Sequence, residues 1–189
     1  MNYSIDPVGT ADAALKQTAR RVARCLASID ATGRFRVAIR LYHGWHKGFE
    51  PTVNRKAARH VIAKTDFAAL SPKPNVVFSQ QVEFGDHLLH ASVDRLHVKL
   101  NCHLPNTLRN RYGSEIEEKM VDTALAADVV ASAYRDNKNW IVVVTEDDDL
   151  IPPAYAAEFA LAGTQSRTII LRKSVRASIL SLSNILING

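Results

Sequence analysis

The sequence predicts an α/β fold in which a mainly parallel central sheet is covered by helices on both faces. Strand-like and helix-like segments alternate over residues 2–64 and again over the last third of the chain, the order that favours parallel strands joined by helical crossovers. An apolar run, Trp140-Ile141-Val142-Val143-Val144, reads as a buried strand. The 189 residues, 47% hydrophobic and 23% charged, suit one globular domain with a sizeable core.

Taken in order, residues 2–6 read as a short first strand ending in the carboxylate of Asp6, followed by a Pro7-Val8-Gly9-Thr10 turn and a helix over 11–28. Leu15, Ala19, Val22, Ala23 and Leu26 share one face of that helix, while Lys16, Arg20, Arg21 and Arg24 fall largely elsewhere. This is the pattern of a helix packed on a sheet, its basic residues most simply a solvated face. Gly33 breaks the chain before a second strand, 35–42, and a glycine-flanked loop then carries His43, Trp45 and His46. A helix to Lys64 follows, with Thr52 as its cap and Pro51 just outside it.

Residues 66–112 form a strand-rich segment: a loop over 66–74, then strands at 76–79 and 95–100 that read equally as a hairpin extension or as further sheet members. A long helix is expected over 114–136, announced by Gly113-Ser114 and carrying Glu115, Glu117 and Glu118 in its first turn, where negative charge suits the helix dipole. Residues 137–139 end it before the strand at 140–144. Pro152-Pro153 opens another helix to 162, Gly163 stops it, and 168–171 is an apolar strand. A short helix from Ser174 and a terminal strand at 185–187 complete a single domain spanning 1–189, without internal repeat or low-complexity segment.

No apolar run approaches the roughly 20 residues that cross a bilayer, and the first residues have neither the basic head nor the apolar middle of a signal peptide. A cytoplasmic protein with no membrane partner is therefore expected. Cys25 and Cys102 lack the paired spacing of a zinc site or disulfide framework and read as interior thiols. The chain carries a net charge of +5 and a pI near 9.4. A basic body around a carboxylate pocket suits a metal-dependent enzyme acting on a polyanion, although charge alone does not establish nucleic-acid binding.

The acidic residues are concentrated in Thr145-Glu146-Asp147-Asp148-Asp149-Leu150, directly after the strand at 140–144. Four consecutive like charges repel, and at the mouth of a buried strand they call for a cation. Asp147 and Asp149, two residues apart, point to one side while strand geometry persists and would form a ligand pair for a hard metal. The run reads also as a solvated turn or a helix cap. Asp122 lies among apolar neighbours on the expected helix 114–136, where a buried carboxylate needs a cation or several donors; pairing with Lys119 or exposure to solvent are its plain alternatives. Asp128, six residues on, falls roughly 240° round the helix at about 100° per residue, so one metal cannot easily take both.

Lys119-x-Val121-Asp122-x-x-Leu125-x-x-Asp128, followed by Val142-Val143-Val144-Thr145-Glu146-Asp147-Asp148-Asp149-Leu150, resembles the NYN group of PIN-like ribonucleases. That family carries Lys-x-x-Asp on a helix, Ser-Gly-Asp-x-Asp-Phe at a strand end and a further Asp ending the first strand. The resemblance is strongest over residues 113–153. It implies a PIN-like three-layer sandwich, with Asp147 and Asp149 as the paired aspartates, Asp122 as the helix aspartate and Asp6 as the first-strand one. Thr145-Glu146 stands where the family has Ser-Gly, Leu150 where it has an aromatic, and no Asn follows shortly after Asp6.

What the resemblance implies is a metal-dependent endoribonuclease that hydrolyses RNA phosphodiester bonds with Mg²⁺ or Mn²⁺ held by Asp6, Asp122, Asp147 and Asp149. The chemistry is coherent without the family, since carboxylates at the carboxyl ends of parallel strands meet where open α/β sheets bind ligands. Arg109, Arg111 and Lys119 are the candidates for phosphate contacts, or solvated charges, and Trp45 and Tyr112 are candidates for stacking on bases. The polymer would be RNA or DNA, and a homodimer or a regulatory protein partner is compatible with the reading. The main alternative is a catalytically weak or inactive PIN-like module that binds RNA or a protein. A haloacid-dehalogenase-like phosphatase would need Asp-x-Asp at the first strand end, where Val8 fills the second place, and a Toprim nuclease would need an early Glu beside a Gly.

Overall fold

The computed structural model describes residues 6–89, 107–110, 116–173 and 186–188. It is a mixed α/β structure with helices and a small parallel sheet. The chain divides into two compact units, Met1–Asp86 with His103–Val121, and His87–Cys102 with Asp122–Gly189.

In the first unit, helix α1 covers Pro7–Ile29. Asp6 is its N-cap and accepts the Val8 N–H at 3.0 Å. An aspartate before a proline at the first helical position is a start signal in itself, so the helix begins four residues earlier than the sequence reading placed it. The turn expected at residues 7–10 is the first helical turn, and residues 2–5 of the expected first strand lie outside the described residues. Strand β1 (Phe35–Leu41) pairs in parallel with β4 (Val76–Phe84), the register shifting between Val37 and Ile39. Between them come a small hairpin, β2 (His46–Lys47) and β3 (Glu50–Pro51), and helix α2 (Val53–Lys64), whose first turn is capped by the Thr52 hydroxyl accepting the Arg55 N–H. A 3-10 turn, Phe67–Ala69, sits in the segment expected as loop.

The apolar side of α1 (Ala19, Val22, Ala23, Cys25, Leu26), Ala57, Ala58 and Val61 of α2, and Phe67, Leu70, Val76 and Phe78 are buried. Cys25 is thus interior, as its sequence context predicted, and burial pushes its thiol pKa up. Cys102 lies outside the described residues, as does the strand expected at 95–100.

The expected helix over 114–136 is two elements. Ile116–Glu118 is a strand, β6, antiparallel to β5 (Leu108–Asn110). Met120 then takes φ of 65°, a left-handed conformation that continues neither strand nor helix. Only at Val121 does helix α3 (Val121–Arg135) start.

In the second unit, β7 (Ile141–Val144), β8 (Thr168–Arg172) and β9 (Leu186–Asn188) form a parallel sheet in that order. Helix α4 (Ile151–Ala160) lies in the connection from β7 to β8. Its Glu158 carboxylate accepts the Thr168 N–H at 2.6 Å, fixing where β8 begins. Ile169, Ile170 and Leu171 have no exposed surface, as befits a central strand paired on both edges. Val129 and Ala133 of α3, Val143, Leu150, Ala157 and Leu161 form one apolar cluster. Gly163 closes the segment after α4 with φ of 83°, where glycine is least strained. The short helix expected from Ser174 lies outside the described residues.

Candidate functional site

The acidic run follows β7 at the carboxyl end of the parallel sheet, and its residues divide into two sets. Asp147 caps a 3-10 turn, Asp148–Leu150, with its Oδ1 accepting the Asp149 N–H at 2.9 Å, while its own N–H donates to Thr145 Oγ1 at 3.1 Å. Leu150 drives into the apolar cluster and pins the turn from below. Arg172, 6% exposed at the end of β8, donates from Nη1 to Asp148 Oδ1 at 2.5 Å and from Nη2 to the Glu146 carbonyl. Glu146 Oε1 accepts the Lys173 N–H at 2.9 Å.

Glu146 and Asp148 each give one carboxylate oxygen to tying the turn to β8. Asp147 retains one carboxylate oxygen beyond its capping bond, and the exposed carboxylate of Asp149 has no partner among the described residues. These are the two aspartates singled out by sequence. The strand ends at Val144 and Asp148–Leu150 is a 3-10 turn, so the alternation that would point Asp147 and Asp149 to one side does not persist. No group of three or more His, Cys, Asp or Glu able to hold a metal occurs among the described residues.

The other sequence candidates sit elsewhere. Asp122 is exposed in the first turn of α3, where the dipole favours it. The buried carboxylate of this helix is Asp128, 3% exposed, which accepts the Leu89 N–H at 2.7 Å; for Asp122 the structure takes the alternative of exposure over burial among apolar neighbours. Asp6 belongs to the first unit, whereas Asp122, Asp147 and Asp149 belong to the second. Arg109 lies on β5 in register with Glu117, Arg111 and Tyr112 lie outside the described residues, and Lys119 follows β6 in place of the helix turn expected for it, its N–H donating to the Thr107 carbonyl at 2.9 Å.

Trp45 is 4% exposed, its Nε1 donating to the Leu41 carbonyl at 2.9 Å and its ring set edge-on to Phe84. It is a packing residue and offers no face to a base. Its neighbour His43 is held at both ring nitrogens: Nδ1 against Glu118, and Nε2 at 2.5 Å from Asn54 Nδ2. An amide donating to Nε2 leaves Nδ1 to donate to Glu118. That bond, helped by the Gly44 N–H at 2.9 Å, holds the Glu118 carboxyl below its usual range against the opposing effect of desolvation. With both nitrogens engaged, His43 is not poised as a metal ligand.

Sequence reasoning missed Arg172 and Glu118. The signal for Arg172 was a lone cation ending an otherwise apolar strand opposite an acidic run. Glu118 was assigned to a helix that begins three residues later.

Compared with known proteins, the chain matches no family model, no curated protein and no solved structure. Among the described residues, no helix is long and apolar enough to cross a membrane.

Proposed function

We propose that the chain is a metal-dependent endoribonuclease that hydrolyses RNA phosphodiester bonds at the acidic turn after β7. The observation that carries this reading is the division within residues 146–149: Glu146 and Asp148 each bond Lys173 or Arg172 and so hold the turn to β8, whereas the Asp147 carboxylate bonds only within the turn and that of Asp149 has no partner among the described residues. Such a turn at the carboxyl end of parallel strands is where open α/β folds bind ligands. Asp147 and Asp149 would hold Mg²⁺ or Mn²⁺, which when bound supplies water activation and stabilises charge on the phosphate. The chain's own part is to keep two carboxylates fixed on a turn that Arg172 clamps from behind. Asp6 and Asp122 stand as further candidates, weighed by the same assay.

With this reading goes the finer fold assignment, a PIN-like three-layer sandwich. The resemblance of residues 113–153 to the NYN ribonucleases supports it.

Cleavage of labelled single-stranded and hairpin RNA, with DNA in parallel, tests the proposal in Mg²⁺, Mn²⁺ and EDTA. Metal-dependent cutting of RNA is expected. RNA binding that persists in EDTA without cutting in any metal would instead identify a binding module.

A further inference from the structure

The net positive charge of this protein resides in one unit. Residues 1–86 and 103–121 hold sixteen Lys and Arg against ten Asp and Glu, a net of +6, while the remaining residues hold eight against nine, a net of −1. Within the first unit the excess sits on two helices that pack against each other, α1 and α2. Lys16, Arg20 and Arg24 recur at four-residue spacing on the outside of α1, and Lys56, Arg59 and Lys64, with His60, occupy the outside of α2. Acidic partners are nearly absent: α1 contains only Asp12, which pairs with Lys16 at 2.8 Å, and α2 contains none. The side chains of Arg20, Arg24, Lys56, Arg59 and Lys64 make no ion pair or hydrogen bond among the described residues.

An indifferent solvated face would not need this arrangement. Arg20 and Arg24 are like charges one turn apart, which disfavours the helix, and Lys56 sits in the first turn of α2 where the dipole opposes a cation. Gln at Arg20 or Arg24 would relieve that repulsion, and Glu or Gln at Lys56 would suit the first turn of α2 better. Cations spaced about 6 Å apart along a helix, at 1.5 Å rise per residue, and left without carboxylates are instead the footprint of a polyanion. Large apolar side chains, which a helix lying on a lipid surface needs beside its cations, are missing from the stripes: the exposed ones on these helices are Val8 and Val53, both in first turns.

We infer that the outer faces of α1 and α2 bind the phosphate backbone of a nucleic acid, with Arg20, Arg24, Lys56 and Arg59 making the principal contacts. The identity of that strand as RNA rests on the ribonuclease reading; the surface itself does not. It differs from the contacts assigned by sequence to Arg109, Arg111 and Lys119, and it absorbs the basic stripe that helical periodicity alone left as solvated.

Fluorescence anisotropy with labelled single-stranded RNA, in EDTA over a series of salt concentrations, reads this surface without any cleavage. Arg20→Gln/Arg24→Gln and Lys56→Gln/Arg59→Gln proteins are each expected to bind more weakly and to flatten the dependence of log K on log salt by about 1.4, at about 0.7 for each phosphate no longer neutralised. Circular dichroism and thermal melting should be unchanged or improved, since repulsion is relieved. Wild-type affinity and slope in both variants would overturn the inference, as would a wild type that binds phosphatidylserine-containing phosphatidylcholine vesicles but not RNA. Asp147→Asn protein separates the two proposals. If it cleaves RNA like the wild type while the Gln pairs lose binding, the basic surface stands and the acidic turn is not the nuclease site; if it loses cleavage while the Gln pairs bind normally, the surface falls and the nuclease reading stands.

Discussion

The guanidinium of Arg172, at the end of β8, reaches across the parallel pair to Asp148 at 2.5 Å, the two side chains being 7% and 67% exposed. One partner is interior and the other is in water, so the two ends of this contact carry unequal weight. Removing Asp148 leaves the buried guanidinium without its carboxylate; removing Arg172 strips the clamp from two oxygens and leaves a hole beneath the turn.

Arg172→Met is therefore expected to lower the unfolding free energy by about 2–4 kcal/mol, the range for breaking buried charged hydrogen bonds. Asp148→Asn keeps an oxygen that accepts from the guanidinium but removes its counter-charge, and a smaller loss of about 1–2 kcal/mol is expected. Urea denaturation of both variants and of the double variant measures the difference and the coupling.

In the first unit, Arg55 and Asp86 form an ion pair with both side chains under 10% exposed, and the guanidinium also lies 4.6 Å over the Phe84 ring. Asp86→Ala leaves a buried cation without its carboxylate, and a loss of about 3–5 kcal/mol is expected. Arg55→Met/Asp86→Leu, which removes both charges and retains volume, should recover most of it in the same denaturation experiment.

The pairing of His43 with Glu118 gives a pH dependence of known sign. Because the folded Glu118 carboxyl titrates below the ordinary 4.5, its contribution is fully present above pH 4.5 and is lost as pH falls through the lower folded value. The Glu118 side chain is 41% exposed, so the effect is screened to a fraction of about 1 kcal/mol. Stability curves of wild type and Glu118→Gln should run parallel above pH 4.5 and converge below it.

Burial raises the Cys25 thiol pKa and encloses the sulfur in the α1 core. In a Cys102→Ser background, modification of Cys25 by a thiol reagent at neutral pH is expected to be slow in the folded protein and to accelerate at least tenfold in denaturant, because only the exposed thiolate reacts.

Much of the sheet framework is visible in the sequence. Strong apolar runs with clear punctuation, at 35–42, 140–144 and 168–171, gave strands within a residue of those in the structure, and Thr52 gave the start of α2. Local signals failed where a tertiary partner decides. Glu115, Glu117 and Glu118 suit a helix N-terminus, yet residues 116–118 pair with 108–110, and the left-handed Met120 postpones the helix. Asp6 ends no described strand because the following proline makes it a cap. Within the acidic run, spacing singled out Asp147 and Asp149 on a strand geometry that the 3-10 turn replaces, and the tie of Asp148 to Arg172, 24 residues away, is a relationship that no local pattern contains.

The division of the acidic run is the central claim, and RNA cleavage by single amide variants tests it most directly. Asp147→Asn and Asp149→Asn keep the turn, since asparagine also caps and only the backbone N–H of residue 149 is used. Each is expected to lose at least about 100-fold in metal-dependent cleavage of a labelled single-stranded RNA, about 2.7 kcal/mol of transition-state stabilisation at 1.36 kcal/mol per tenfold. Asp148→Asn should retain activity within about threefold. Equal losses in all three variants, or none in Asp147→Asn and Asp149→Asn, would contradict it.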